Sequence, residues 1–373
     1  MEFIFWFKIL SPHQMPYICE LANLNHRVTV ISEAEMSKDR SKLGWTVPAV
    51  GKVNVELKLS EDEIKEVIKK MGKNAIHFIG ELRFEPRGEI ILRHLNEYGA
   101  RFGIVTESPD SRGIFGVFRK FKYILEYYRQ GRRFDFVLAM GKKGFNWFIQ
   151  CGYTKSKVFE FAYAVDNVGT DKLKTANPLD SPFRFLYVGQ LIQRKGVDLL
   201  IRCLASIEES FKLEIVGSGT EEEKLKELSE QLGLESQITW TVCVSSNVVR
   251  EKMACSDALV LPSYHDGWGA VISEALLSGT PVICSDACGA SCLISSEECG
   301  AVFASQNLID LKRVVADRIR RGKQSQENRE LLKSYSRERH GSTAVAKYFE
   351  LVMQHVYDGN PRPTCISTKP IQL

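Results

Sequence analysis

The chain has 373 residues, enough for about two domains at roughly 150 residues each. Hydrophobic residues make up 44% and charged residues 26%, ordinary globular values that exclude wholesale disorder and a multi-span membrane protein. A net charge of +4 is too weak to imply nucleic acid and suits anionic substrates and an anionic membrane surface equally.

The first apolar run, Phe3 to Phe7, follows Glu2, precedes Lys8 and lacks a basic leader, so it reads as a buried strand rather than a signal peptide. No stretch approaches the roughly 18 uncharged residues that span a bilayer, and the expectation is a cytoplasmic protein, compatible with peripheral contact at the inner face of the membrane. Further runs at Arg27 to Ile31, Ala75 to Ile79, Phe102 to Thr106, Phe134 to Met140 and Val158 to Phe161 alternate with segments of helical period. That alternation predicts an α/β domain over residues 1–165, a parallel sheet with helices on both faces. Within it, the loop Thr106 to Gly113 follows a strand, which directs Glu107, Asp110 and Arg112 to a cleft unless they only cap the next helix. Phe115, Phe118, Phe121, Ile124 and Leu125 recur at three- and four-residue spacing among Arg119, Lys120, Lys122, Arg129, Arg132 and Arg133. This is read as a stripe facing the core, ahead of a basic amphipathic surface touching anionic lipid.

Residues 166–182 turn polar and carry Pro178 and Pro182, a linker pattern. A second strand series follows over 183–340, at Phe183 to Val188, Lys212 to Val216, Ile238 to Thr241, Ala258 to Leu261, Pro281 to Cys284 and Ala301 to Phe303. Helices are expected near 196–206, 221–232, 246–254 and 270–278. Two such halves place the chemistry in the cleft between them, because open parallel sheets bind ligands at the carboxyl ends of their strands. A last helix, within 341–357, has Val345, Tyr348, Phe349, Val352 and Val356 on one apolar face, and the tail 358–373, with Pro361, Pro363 and Pro370, is expected to fray. The ten cysteines are scattered and read as reduced; Cys284, Cys288 and Cys292 are spaced by fours, but Asp286 and Gly289 interrupt any helix there, so no metal site is assigned.

The segment richest in chemistry runs from Pro262 to Val282. It leaves a buried strand, passes the loop Asp266-Gly267-Trp268-Gly269, and enters a helix at Ala270 and Val271 that stops at Gly279. Glycines let the backbone approach a bulky anion, and the free amides at the helix start can donate to phosphate oxygens. Glu274, one turn inside, sits where a carboxylate can take the two hydroxyls of a ribose.

This stretch resembles the nucleotide-sugar site of family 4 glycosyltransferases of the GT-B fold: Pro-Ser, an acid, Gly-aromatic-Gly, a second acid eight positions after the first, then Ala-x-x-x-Gly-x-Pro-Val. The acids here are Asp266 and Glu274, with Asp266 where the family usually has Glu. Tyr187-Val188-Gly189-Gln190 through Arg194-Lys195-Gly196 resembles the family's strand, glycine loop and Lys-Gly helix start, with Gln190 where many relatives carry Arg. Ile215-Val216-Gly217-Ser218-Gly219 matches the next strand-turn, and Val242 lies where relatives present backbone to the nucleobase, usually as Gly. The full dinucleotide fingerprint of a dehydrogenase is absent, since Glu222 takes the third glycine position. The likeness is strong over about residues 183–322 and weaker in the first half, where His77 lies where relatives often hold a cleft-facing histidine.

The resemblance implies two Rossmann-like domains, the first for the acceptor and the second for the donor, with the C-terminal helix packing back on the first. It implies retaining transfer from a nucleotide-diphosphate sugar to a saccharide or lipid-linked acceptor, with Lys195 and the amides of Ala270 and Val271 meeting the departing diphosphate. Glu274 would hold the ribose, Asp266 the donor sugar, and His77 would belong to the active site. No Asp-x-Asp triplet occurs, and no metal or other cofactor is expected. The rival reading is a nucleotide-sugar-binding or scaffold protein that has lost turnover.

Overall fold

A computed structural model describes residues 1–42, 44–80, 84–165, 181–242 and 244–365. These form two compact units: Met1–Ser37 and Val47–Ala164 together with residues 342–365, and Lys38–Thr46 together with Val165–Gly341. The expected linker lies outside the described residues except for Ser181 and Pro182, and so does the tail beyond Cys365.

The strands of the first unit are β1 (Glu2–Ile9), β2 (Arg27–Ala34), β3 (Asn54–Leu57), β4 (Ile76–Ile79), β5 (Arg101–Thr106), β6 (Phe136–Met140) and β7 (Val158–Phe161). They make one parallel sheet in the order β3-β2-β1-β4-β5-β6-β7. Its helices are α1 (Met15–Asn23), α3 (Glu61–Met71), α4 (Pro86–Glu97), α5 (Gly113–Arg129) and α6 (Gly141–Gln150), while α2 (Lys38–Lys42) clusters with the second unit. Central strands are buried on both faces, and β4 and β6 are buried at every position, which is why they read as unbroken apolar runs. β3 escapes sequence reading because it is a four-residue edge strand with no buried residue.

The second unit holds β8 (Phe183–Val188), β9 (Phe211–Val216), β10 (Ile238–Thr241), β11 (Ala258–Leu261), β12 (Val282–Ser285) and β13 (Gly300–Phe303). These too pair in parallel, in the order β10-β9-β8-β11-β12-β13. Around them lie α7 (Val197–Leu204), α8 (Glu222–Gln231), α9 (Ser246–Ala254), α10 (Ala270–Leu277), α11 (Leu308–Arg320) and α12 (Gln326–His340). The α/β class with two doubly wound parallel sheets is therefore as expected. In each sheet the direction of winding reverses once, between β1 and β4 in the first and between β8 and β11 in the second, and such reversals leave a crevice at the carboxyl ends of the strands.

After the second unit the chain re-enters the first as α13 (Ser342–Asp358). Phe349 meets the rings of Phe3, Phe5, Phe78 and Phe161, its centroid 4.9 Å from that of Phe78. One reading of the sequence fails here. The stripe on α5 does not face the core: Phe115, Phe118, Phe121 and Leu125 are exposed, and the helix buries Gly116, Tyr123 and Glu126 instead.

Candidate functional site

The expected donor residues of the second unit gather at its reversal point, where the segments following β8 and β11 run beside each other. After β8, Gly189 and Gln190 lead to a single 3-10 turn, Gln193–Lys195, closed by Gly196 in the left-handed conformation at φ 66°. A Cβ on Gly196 would lie 2.3 Å from the Pro262 carbonyl oxygen, so only glycine lets these two segments touch. The Tyr264 amide donates to the Arg194 carbonyl at 2.8 Å, the Arg194 guanidinium donates to the His265 carbonyl, and the Tyr264 hydroxyl donates to the Asp198 carboxylate at 3.1 Å.

That zipper brings Lys195 to Asp266: the ammonium donates to Oδ2 at 2.5 Å, with the two side chains 13% and 12% exposed. Lys195 is thus held by an acid that the resemblance gives to the donor sugar. The loop of Asp266 is tied in turn to residues 287–290. The Asp266 amide donates to the Ala287 carbonyl, the Gly289 amide to the Asp266 carbonyl, and the Ala290 amide to the Trp268 carbonyl at 2.8 Å. Trp268 is 1% exposed, so its side chain anchors the loop in the core and only its backbone remains for a ligand. Gly267 is buried beside it, and Gly269, at φ 86°, sets the entry into α10.

The amides of Ala270 and Val271 begin α10 and have no preceding turn to bond to, which leaves the positive end of the helix dipole beside the Lys195–Asp266 pair. Glu274 stands one turn further on and is partly buried; burial raises its pKa, and the Arg250 charge on α9 pulls it back down. Arg250 was not foreseen, because nothing in the sequence couples it to a residue two elements away. Gly217, after β9, makes a close approach of its own: a Cβ there would sit 1.9 Å from the Gly189 carbonyl oxygen. Val242, at the carboxyl end of β10, is 72% exposed.

The first unit treats its candidates differently. His77 is fully buried in β4 and its Nδ1 accepts the indole N–H of Trp6 at 3.1 Å. Burial pushes its pKa down to about 3, so the ring is neutral within the strand. In the loop after β5, Asp110 and Arg112 satisfy each other, Nε to Oδ1 at 2.9 Å and Nη2 to Oδ2 at 2.7 Å, at the start of α5. Glu107 in the same loop is partly exposed. Among the described residues no group of three or more His, Cys, Asp or Glu is placed to hold a metal ion, and no helix is long and apolar enough to cross a membrane.

Residues 170–339 match the model of the family described as glycosyl transferases group 1. The lipopolysaccharide glucosyltransferase WaaG of Escherichia coli is 37% identical over 123 residues, which is 32% of this chain and 32% of that protein. Such alignments span about a third of the relatives they match. The whole fold resembles two solved structures. A glycosyltransferase from Rickettsia africae is 14% identical with a TM-score of 0.74, over 96% of this chain and 99% of that one. Anabaena HepE in complex with UDP is 15% identical with a TM-score of 0.71, over 95% and 100%. The matched segment coincides with the second unit, residues 170–339 resembling glycosyl transferases group 1, and the two parallel sheets share the GT-B fold of the solved structures.

Proposed function

We propose that the protein is a retaining glycosyltransferase that moves a sugar from a nucleotide-diphosphate donor to a hydroxyl of a saccharide or lipid-linked saccharide, in cell-surface polysaccharide biosynthesis. The observation that carries this reading is the convergence of Lys195, Asp266 and the first amides of α10 at one reversal point. Donor breakdown moves negative charge onto the diphosphate; an ammonium and aligned amides fixed there beforehand stabilise that charge without a metal ion. The bond from the sugar's anomeric carbon to the diphosphate breaks, a bond from that carbon to the acceptor oxygen forms on the same face, and the acceptor's proton passes to the departing phosphate. Glu274 accepts from the ribose, Asp266 from the donor sugar, and the loop of Glu107, Asp110 and Arg112 selects the acceptor. UDP in the HepE complex and the lipopolysaccharide named for WaaG support the ligand classes. A cytoplasmic enzyme with peripheral membrane contact fits the same reading.

Neutral Gln190 and the shorter Asp266 favour a second reading, a binding protein without turnover. Donor hydrolysis in excess chelator separates the two. Release of free sugar that chelator does not suppress supports the metal-free transferase, and binding of a nucleoside diphosphate with no release supports the binder. Full inhibition by chelator, reversed by magnesium or manganese, would overturn the metal-free mechanism.

A further inference from the structure

We propose that α5 is an interfacial anchor that lays its outward face on an anionic lipid surface. Ile114, Val117, Phe118, Phe121, Leu125 and Tyr128 follow one another at steps of three and four residues, with one step of one, so they share one side of the helix. That side points away from the protein: Ile114 is 67%, Phe118 65% and Phe121 60% exposed. The opposite side seats the helix, with Tyr123 edge-on to Trp147 at 5.5 Å between ring centroids. An amphipathic helix of a water-soluble domain normally turns its apolar stripe inward; this one is inverted.

Charge decides the occupant. Between Gly113 and Arg133 the chain carries Arg119, Lys120, Lys122, Arg129, Arg132 and Arg133, and its sole acid, Glu126, is buried. Lys122 lies 4.2 Å over the Phe84 ring and Arg132 4.4 Å over the Tyr128 ring, so cationic heads sit at the edge of the aromatic surface. Aromatic and aliphatic side chains bordered by lysine and arginine match the boundary between headgroups and acyl chains of an anionic bilayer, with apolar area and electrostatic attraction acting together. A second copy of this chain would meet the same positive charge and be repelled. The inference gives a place and a lipid class to the membrane contact in the reading above and rests on that reading for its cytoplasmic setting; its observations come from α5 and the residues beside it.

The test is sedimentation of the whole protein with vesicles of phosphatidylcholine, with or without phosphatidylglycerol. Binding is expected only when the anionic lipid is present and should fall as salt rises. A Phe118→Ser/Phe121→Ser variant should bind at least about tenfold more weakly, since each burial contributes on the order of tenfold or more. Lys122→Gln and Arg129→Gln should each weaken binding by about fivefold. Nucleoside diphosphate binding and donor hydrolysis should be unchanged in all of them, which separates loss of the anchor from loss of the donor site. Equal sedimentation of wild type and the serine variant, equal binding to both vesicle types, or a concentration-dependent dimer that the serine variant abolishes would each overturn the anchor and leave the transferase reading intact.

Discussion

Replacing Asp266 by Asn isolates what the Lys195–Asp266 pair does to an incoming diphosphate. In the free protein the ammonium is committed to Oδ2 at 2.5 Å, in a place where both side chains are about seven-eighths covered. A diphosphate drawn to Lys195 arrives within about 5 Å of that carboxylate, and two like charges at this distance repel by roughly 3 kcal/mol at an effective dielectric constant near 20. Screening at a partly open site halves this to about 1.5 kcal/mol, a factor of about ten in affinity. Asp266→Asn keeps an oxygen that can accept from Lys195 and removes the repulsion, so the variant should bind the nucleoside diphosphate about tenfold more tightly. The intact donor should gain less, because its sugar loses a carboxylate acceptor, and hydrolysis should slow. Isothermal titration of wild type and variant with diphosphate and donor measures both effects. Weaker diphosphate binding by folded Asp266→Asn would refute the reasoning, showing that the carboxylate positions Lys195 rather than competing with the ligand.

Glu274→Gln should weaken donor binding by about tenfold or more, since hydrogen bonds to a charged group contribute roughly 1.5 to 3 kcal/mol each; unchanged affinity by titration would remove Glu274 from the ribose. Because burial raises the Glu274 pKa, the wild-type affinity should fade at a higher pH than an ordinary glutamate would give as the solution is acidified. Gly217→Ala forces a Cβ to within 1.9 Å of the Gly189 oxygen, and should lower stability by about 1 to 3 kcal/mol and impair donor binding; an unshifted melting temperature contradicts this. His77 and His340 are buried and their pKa values are pushed down to about 3, while unfolded histidines protonate near 6.5, so the unfolded state binds more protons between these limits. Their contribution is complete above pH 6.5 and falls as pH drops, by roughly 2 kcal/mol each at pH 5, and urea midpoints that do not fall between pH 7.5 and pH 5 would count against it. Substituting Glu107 or Arg112 should depress transfer more than donor hydrolysis, and equal loss of both would take them off the acceptor side.

The sheet was legible because parallel strands covered on both faces leave unbroken apolar runs, and β7, β8, β10 and β11 fall where the runs do. The donor loop was legible for another reason: Gly196, Gly217 and Gly269 sit where backbones nearly touch or turn left-handed, so the residue type reports the geometry. What the sequence hides is the identity of the neighbour. His77 has the same flanking residues whether its ring meets substrate or the indole of Trp6. Trp268 looks like a ligand contact between two glycines and is a core anchor. On α5 the period of the stripe is plain, but period carries no sign; inward contact comes from Gly116 and Tyr123, residues a hydrophobic pattern ranks below phenylalanine.

The return of α13 to the first unit has a consequence for how the protein is made. Phe349 completes an aromatic cluster begun by Phe3, Phe5 and Phe78, so the unit whose strands are made before the second unit is finished only after it. Until Ser342–Asp358 has emerged, the face of the sheet that α13 covers is left without its lid, while nearly all of the second unit is already available to fold. A nascent chain stalled just short of α13 should therefore present sticky aromatic surface to chaperones. Truncations in this region are expected to fail by aggregation of the amino-terminal unit, far in sequence from the residues removed.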